Sequence, residues 1–135
     1  MHYLTRGFTF SASHRLHNPQ MSGEDNACAF GMCENVHGHN YRMEITVRGE
    51  LDAQRGFFCN VMDLKQVVDE LVADPCEHQF LNDIPLFEGV VPTTMENLSQ
   101  RIWQVLEPAL AARSMELYEV LLAETPDNIV RLRKD

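Results

Sequence analysis

Long hydrophobic runs and clustered basic residues are both missing from this sequence. No segment resembles a transmembrane run, and residues 1–6 lack the apolar stretch of a secretory signal, so we expect a cytoplasmic protein. The 11 Lys and Arg stand against 20 Asp and Glu, which gives a formal net charge of −9. A nucleic-acid-binding face needs clustered cations, so this balance argues against nucleic acid as a partner. A few local donors could still hold a small phosphorylated ligand.

Cysteine is also scarce, with 4 residues in the 135-residue chain. In a cytosolic chain of this size, we expect free buried thiols or one reactive thiol rather than disulfides. Cys28 and Cys33 could instead bind zinc, but their spacing is not the C-x-x-C of zinc ribbons, so this alternative ranks below a histidine site. Cys59 and Cys76 are predicted to be small core residues.

Two histidines in an H-x-H arrangement, His37 and His39, carry the main chemical signal. Alternation along a strand points both to the same face, and a third histidine, His14, ends another alternating segment. If the two strands are neighbours, three imidazoles converge, and three nitrogen donors with an open fourth position are typical of catalytic zinc. Cys33, four residues before His37, could act as a thiolate beside the metal. The alternative is that these are ordinary half-buried histidines, because an H-x-H pair alone is a weak signal.

Other polar residues admit both a functional and a structural interpretation. Glu77 and His78 could form an acid–base unit or simply be solvated surface groups. Glu124 could anchor a ligand or be an exposed carboxylate at a strand end. His17 lies in the aperiodic segment 16–32, and a loop of that length is usually functional or disordered. For His17 itself, a surface position is the simpler interpretation and a role in a site is the alternative.

The hydrophobic pattern predicts one α+β domain over residues 1–135, because 44% hydrophobic residues suffice for a single core. The second and third predicted strands form a hairpin through a turn at 52–56, and the last two are joined by a turn at 125–127. The predicted strands cover residues 2–14, 37–50, 57–61, 117–124 and 128–133.

Two helices are predicted between the third and fourth strands. Asp63 is expected to cap the first, whose apolar residues between Leu64 and Val72 follow a 3.6-residue spacing. The second begins at the capping box Thr93–Glu96, and Pro108 should bend or end it. Residues 73–91 between them are expected to be irregular. We expect both helices to pack on one face of an antiparallel sheet.

Six short pieces of the sequence follow one another in a recognisable order. They are F-S-A-S-H-R-L at 10–16, C-x-x-x-H-G-H-N-Y at 33–41, D-L-K at 63–65, E-H with L-N-D at 77–83, P-T-T-M-E-N at 92–97 and E-T at 124–125. With these pieces the chain resembles, nearly end to end, the family of 6-pyruvoyl-tetrahydropterin and 6-carboxy-tetrahydropterin synthases. The resemblance implies a tunnelling fold, in which such domains assemble through trimers into a homohexamer with active sites at subunit interfaces.

The resemblance implies a zinc lyase that acts on 7,8-dihydroneopterin triphosphate. Zinc would be bound by His14, His37 and His39. Cys33 would be the general base, assisted by His78. Zinc acts as a Lewis acid on the side-chain hydroxyls of such a substrate, which makes the neighbouring C–H more acidic.

The resemblance also implies substrate contacts from Glu124, Thr94 and Glu96, with Glu124 holding the pterin ring. Two features depart from the family pattern. The family usually has Asp where this chain has Glu77, the partner of His78 in the proposed catalytic set. The piece at 92–96 is also one residue longer than the common form.

The spacing before H-G-H bears on the product. Three residues separate Cys33 from His37, as in bacterial queuosine-pathway enzymes, which release acetaldehyde and triphosphate and form 6-carboxy-5,6,7,8-tetrahydropterin; animal pyruvoyl-forming enzymes tend to have five. We therefore expect the carboxy product. The alternatives are 6-pyruvoyl-tetrahydropterin, or 6-hydroxymethyl-7,8-dihydropterin with Glu34 as an added catalytic acid, since C-E-x-x-H-G-H resembles a dual-type subgroup. Glu34 could equally be an idle loop acid, and a pterin-binding protein without catalysis is the alternative from another class.

Overall fold

A four-stranded antiparallel sheet forms the frame of the protein in the computed structural model, which describes residues 1–135. The strands are β1 (His2–His14), β2 (His37–Gly49), β3 (Glu116–Thr125) and β4 (Asn128–Arg133), in the order β1-β2-β3-β4. Each lies within one residue of its predicted bounds at both ends. The predicted α+β class with an antiparallel sheet is confirmed. β1 and β4 form the two edges of the sheet, and residues 78–80 pair with β1 at Ser11 and Ser13.

The helices lie in the connections before β2 and before β3. They are α1 (Gly23–Phe30), α2 (Val61–Val68), α3 (Asp74–Cys76) and α4 (Met95–Ala111). A π-helical turn, Asp69–Ala73, joins α2 to α3, and short 3₁₀ turns cover Gly31–Glu34, Leu81–Asp83 and Pro85–Phe87. None of the helices combines the length and apolarity needed to cross a membrane.

One face of the sheet is buried against α2 and α4, as predicted. Alternate residues of β1, including Phe8 and Phe10, point to this face together with Tyr41 and Met43 of β2. α4 contributes a stripe of leucine and isoleucine at helical spacing to the same core, and α2 contributes apolar residues at the predicted spacing. The helical members are Leu64, Val67, Val68, Leu98, Ile102, Leu106 and Leu110.

The segment 16–32 contains a helix that the sequence did not predict. Ser22 caps α1, since its side chain accepts a hydrogen bond from the Asp25 N–H at 3.0 Å. α1 buries only Asn26, so it has no apolar stripe for a periodicity search to detect. The Asn26 side chain instead satisfies the preceding turn: its Oδ1 accepts from the Asn18 N–H at 2.8 Å, and its Nδ2 donates to the main-chain oxygen of Asn18 at 3.0 Å.

The predicted third strand at 57–61 was wrong. Only an isolated bridge joins Asp52 to Phe57, and the chain turns into α2 within a few residues. The helix also begins earlier than expected, because the side chain of Asn60, not that of Asp63, accepts the capping hydrogen bond, from the Met62 N–H at 2.9 Å. An amide cap so close to Phe57 leaves too few residues for an extended strand.

The start and end of α4 also differ from the prediction. Thr94, and not Thr93, is the N-cap, and it accepts from the Asn97 N–H at 3.2 Å. The cap therefore lies one residue later than predicted, without the reciprocal Glu96 bond of a capping box, and Thr93 takes a buried position before it. Pro108 does not stop the helix, which continues to Ala111. Gln104, whose carbonyl would bond to an N–H at position 108, is exposed, so water can satisfy that carbonyl.

Candidate metal centre and surrounding site

The three histidines picked out by the sequence converge at one end of the buried sheet face. β1 and β2 are paired so that His14 lies opposite His37, while His39 lies opposite Ala12. Alternation then directs all three rings to the same side. The ring centroids lie 4.6 Å apart for His14 and His37, 5.2 Å for His14 and His39, and 5.0 Å for His37 and His39. One nitrogen from each ring lies within 4.8 Å of the others, close enough to hold one ion.

Hydrogen bonds determine which ring nitrogen faces the cluster. His14 Nδ1 lies 2.9 Å from the main-chain oxygen of Thr93, and His37 Nδ1 lies 2.7 Å from that of Asn35. A carbonyl oxygen only accepts, so both Nδ1 atoms carry the hydrogen and both Nε2 atoms are left bare. The Nε2 atoms of His14 and His39 are buried and have no hydrogen-bond partner in the protein.

Burial favours the neutral imidazole at His14 and His39, because it lowers the pKa of both. Removal from water lowers the pKa of His14 to about 4, and although the Thr93 carbonyl raises it, the neighbouring His37 and His39 lower it further. Burial is also the main cause of the lowered pKa of His39. Neutral imidazole is the form that binds a metal.

This donor set fits zinc. Buried polar atoms without partners are costly, and a cation among the bare Nε2 atoms would satisfy them. Three imidazole nitrogens are a known ligand set for catalytic zinc, with the fourth position open to water or substrate. No cysteine belongs to the cluster. The structure therefore does not support the alternative that the sequence left open, in which Cys28 and Cys33 bind zinc.

Glu124 lies against the histidine cluster. It is the last residue but one of β3, and its two carboxylate oxygens lie 3.8 Å from Nε2 of His14 and 3.8 Å from Nε2 of His39. Both distances exceed that of a hydrogen bond, so the carboxylate and the bare nitrogens border the same space. The sequence allowed an exposed strand-end carboxylate here, but the side chain is only 19% exposed.

Tyr41 lies next to the histidine cluster. The sequence did not indicate that it belongs to the site. It is fully buried, stacks on Phe10 with ring centroids 5.0 Å apart and lies 5.4 Å from the ring of His39. Its hydroxyl has no partner in the protein. Burial, and then the negative charge of Glu124, raise the pKa of Tyr41 well above its usual range, so the phenol stays neutral.

Cys33 and Glu34 lie on the 3₁₀ turn just before β2. The Cys33 thiol is free and exposed, and its main-chain oxygen accepts from the Leu16 N–H at 2.8 Å. The carboxylate of Glu34 lies 3.0 Å from Nδ1 of His17 and 3.7 Å from the guanidinium of Arg15. His17 is therefore paired with an acid, where the simpler interpretation of the sequence was an unpaired surface histidine.

The side chains of Glu77 and His78 contact each other at the β1 edge of the sheet, apart from the histidine cluster. His78 Nε2 lies 3.1 Å from Glu77 Oε1, and the same carboxylate accepts from the Ser11 N–H at 3.3 Å. The His78 N–H donates to the Ser11 oxygen at 2.7 Å, and its φ of 56° is unusual for a residue with a side chain. Within one chain, no hydrogen bond or ion pair joins His78 to Cys33, and the His78 side chain is 81% exposed.

The remaining predicted substrate residues lie at the start of α4. Thr94 caps the helix, and Glu96 is exposed in its first turn. The neighbouring Thr93 is the residue of this piece that contacts a histidine of the cluster. Cys59 and Cys76 are buried, as predicted, and burial raises the pKa of the Cys76 thiol to about 12.

The sequence matches the family model described as 6-pyruvoyl tetrahydropterin synthase over residues 3–135. A 6-pyruvoyl tetrahydrobiopterin synthase of Poecilia reticulata is 44% identical over 134 residues, which cover 97% of this chain and 89% of the relative. The solved structure of Caenorhabditis elegans 6-pyruvoyl tetrahydropterin synthase has a TM-score of 0.89 at 33% identity, with 98% of this chain and 95% of that chain covered. A 6-carboxy-5,6,7,8-tetrahydropterin synthase of Haemophilus influenzae is 28% identical over 109 residues, 78% of this chain and 70% of the relative.

The chain belongs to the 6-pyruvoyl tetrahydropterin synthase family, a family of pterin-synthesising enzymes. The family inferred from the six sequence pieces is confirmed, and so is the tunnelling fold. The narrower expectation was a bacterial queuosine-type enzyme that forms the carboxy product. It receives less support than the alternative of a pyruvoyl-forming enzyme, because the carboxy-forming relative is less similar to this chain than the pyruvoyl-forming one.

Proposed function

We propose that the protein converts 7,8-dihydroneopterin triphosphate to 6-pyruvoyl-tetrahydropterin, with loss of triphosphate, in a zinc-dependent reaction. The observation that carries the proposal is the cluster of His14, His37 and His39 beside the carboxylate of Glu124, in which the Nε2 atoms of His14 and His39 are buried without a hydrogen-bond partner. The choice of product rests on the 6-pyruvoyl tetrahydrobiopterin synthase that is 44% identical over 97% of this chain.

Zinc would be held by His14, His37 and His39, and when bound it supplies a Lewis acid for the side-chain oxygens of the substrate. Glu124 would orient the pterin in this proposal, since a carboxylate accepts hydrogen bonds from the amino and ring N–H groups. Cys33 is the proposed base, because its exposed thiol is open to a substrate and a thiolate can accept a proton from carbon.

We propose that the His78 that assists Cys33 belongs to a neighbouring subunit. Within one chain His78 and Glu77 point into solvent at the β1 edge, and Cys33 lies on another segment. β4 and the part of β1 before Ser11 are open edges, and pairing in a homo-oligomer such as a hexamer would cover them. Thr94 and Glu96 stay as proposed substrate contacts that such an assembly could bring to the site.

Product analysis tests this proposal. Zinc-loaded protein is incubated with 7,8-dihydroneopterin triphosphate, and the pterins are identified by mass spectrometry. We expect the pyruvoyl product, its loss with Cys33→Ala, and full activity with Cys28→Ala, which removes an exposed thiol outside the histidine cluster. Substrate binding without turnover would contradict the proposal and leave the non-catalytic alternative.

A second candidate product, 6-carboxy-5,6,7,8-tetrahydropterin, is favoured by the three residues between Cys33 and His37. It would be accompanied by acetaldehyde, which the pyruvoyl reaction does not release. The third candidate, 6-hydroxymethyl-7,8-dihydropterin, requires a catalytic role for Glu34. The same mass-spectrometric assay separates all three products.

A further inference from the structure

The turn that carries Cys33 is fastened to the residues that follow the proposed metal ligand His14. The Leu16 N–H donates to the main-chain oxygen of Cys33 at 2.8 Å, and Arg15 Nε donates to the main-chain oxygen of Glu34 at 2.9 Å. Two consecutive carbonyls of the turn are therefore held by two consecutive residues after β1. These contacts position the main chain at Cys33, which carries the exposed thiol, and at Glu34 directly after it.

The side chain of Glu34 also contacts residues 15–17, which we call the anchoring segment. Its Oε2 lies 3.0 Å from Nδ1 of His17 and 3.7 Å from Nη2 of Arg15. Because a carboxylate only accepts, His17 Nδ1 must carry a hydrogen, and its 3.2 Å approach to Arg15 Nη2 brings two donors around one acceptor oxygen. The Glu34 side chain is only 25% exposed, and its two partners, His17 and Arg15, lie on its own chain.

The anchoring segment is itself rigidly placed. Asn82 holds the main chain of Arg15 from both sides: its Oδ1 accepts from the Arg15 N–H at 3.0 Å and its Nδ2 donates to the Arg15 oxygen at 2.9 Å. The hydroxyl of Thr93 donates to that same oxygen at 3.1 Å, and the Thr93 carbonyl accepts from His14. One continuous set of hydrogen bonds thus runs from His14 to the Cys33 turn.

We propose that Glu34, held by His17 and Arg15, is a positioning residue that fixes the Cys33 turn relative to the metal centre, and is not a base that reacts with the substrate. The inference rests on the proposed function only in taking Cys33 as a reacting group. It assigns a role to His17, and it replaces the added catalytic acid by a hydrogen-bonded support.

Glu34→Gln separates the two roles, because glutamine keeps an acceptor oxygen for His17 but cannot act as a base. As a positioning residue, Glu34→Gln should retain activity within about threefold, since misplacement of a reacting group, and not loss of charge, is the main cost. Glu34→Ala and His17→Ala should lower kcat about 10- to 100-fold with little change in KM. His17→Asn, whose amide N–H can replace Nδ1–H, should restore most of the activity lost in His17→Ala.

A second measurement does not depend on the substrate. Hydrogen exchange of the Leu16 amide, which is bonded to the Cys33 oxygen, should be at least about tenfold faster in Glu34→Ala and His17→Ala, and near wild type in Glu34→Gln. Zinc content should stay at the wild-type level in all of them. The control Asp52→Ala breaks an exposed pair with Arg55 in the loop beyond the far end of β2, and should change neither the exchange nor kcat.

Two results would overturn the inference: Glu34→Gln as inactive as Glu34→Ala, or Leu16 exchange unchanged in both alanine variants. If wild-type protein fails to turn over the substrate, the proposed function fails, and the Leu16 exchange still decides whether Glu34 and His17 hold the turn.

Discussion

The ring Nδ1 of His14 and the main-chain oxygen of Thr93 lie 2.9 Å apart, although 79 positions separate the two residues in the chain. This contact joins the end of β1 to the residue before the cap of α4. It fixes the tautomer of His14 and leaves Nε2 for the cluster, which is the usual way that a second residue orients a metal-binding histidine. The metal centre therefore depends on the placement of the 81–94 segment as much as on the two strands.

Burial of His14 gives a pH dependence to the stability of the metal-free protein. The pKa of His14 is lowered from 6.5 to about 4, so below pH 6.5 the unfolded chain binds a proton that the folded chain does not. The free energy of unfolding should then fall as the pH falls from 6.5 towards 4, by about 3 kcal/mol from this residue. Urea unfolding at several pH values measures it. His14→Asn should flatten this dependence, and an equally steep dependence in that variant would contradict the assignment.

Asn82 should support both stability and the metal centre. Its side chain makes two hydrogen bonds to the main chain of Arg15. Asn82→Ala should lower the free energy of unfolding by about 1–3 kcal/mol, since the Arg15 N–H loses its partner and the Arg15 oxygen keeps only the Thr93 hydroxyl. Zinc affinity should fall as well, because His14 directly precedes the released segment. The matched control is Asn128→Ala, which removes an exposed amide bonded to Thr125 and should affect neither quantity. Equal effects of the two variants would refute this role.

Tyr41 carries a buried hydroxyl without a partner, which is costly. Tyr41→Phe should therefore leave the metal-free protein equally stable or raise its free energy of unfolding by up to about 1 kcal/mol. Chemical denaturation of the metal-free protein measures the difference. Tyr3→Phe, at an exposed tyrosine on β1, is the control. A clear loss of stability in Tyr41→Phe would show that the hydroxyl has a partner.

Strand-borne parts of the site could be predicted, and parts that depend on long connections could not. His37 and His39 are two apart on one strand, and His14 ends the preceding one, so alternation and neighbouring strands alone imply their convergence. For Glu124 the pattern predicted only a position at the end of an apolar strand, and a ligand role was one of two interpretations until the family resemblance favoured it. Thr93 and Asn82 reach the site through connections whose path no local pattern determines.

Sequence patterns failed to predict the structure where an element buries no regularly spaced apolar residues. α1 buries only Asn26 and shows no stripe, and the pairing of His17 with Glu34 requires the fold of that same segment. The spacing T-x-x-E correctly located the start of α4, but it could not tell which of two adjacent threonines forms the cap.

Removal of one ligand should abolish tight zinc binding. His39→Ala leaves two imidazoles, and we expect zinc affinity to fall by more than about 100-fold, beyond the cost of losing an orienting partner. Competition with a chromogenic chelator measures the affinity. His2→Ala removes an exposed histidine at the opposite end of β1 and should bind zinc like the wild type. Similar affinities for the two variants would place the metal elsewhere.

X-ray absorption at the zinc edge, on protein loaded with one equivalent of zinc, tests the metal centre most directly. We expect three imidazole nitrogens at about 2.0–2.1 Å and one oxygen from water or substrate. A sulfur shell at about 2.3 Å, or a spectrum without imidazole scattering, would contradict the histidine site.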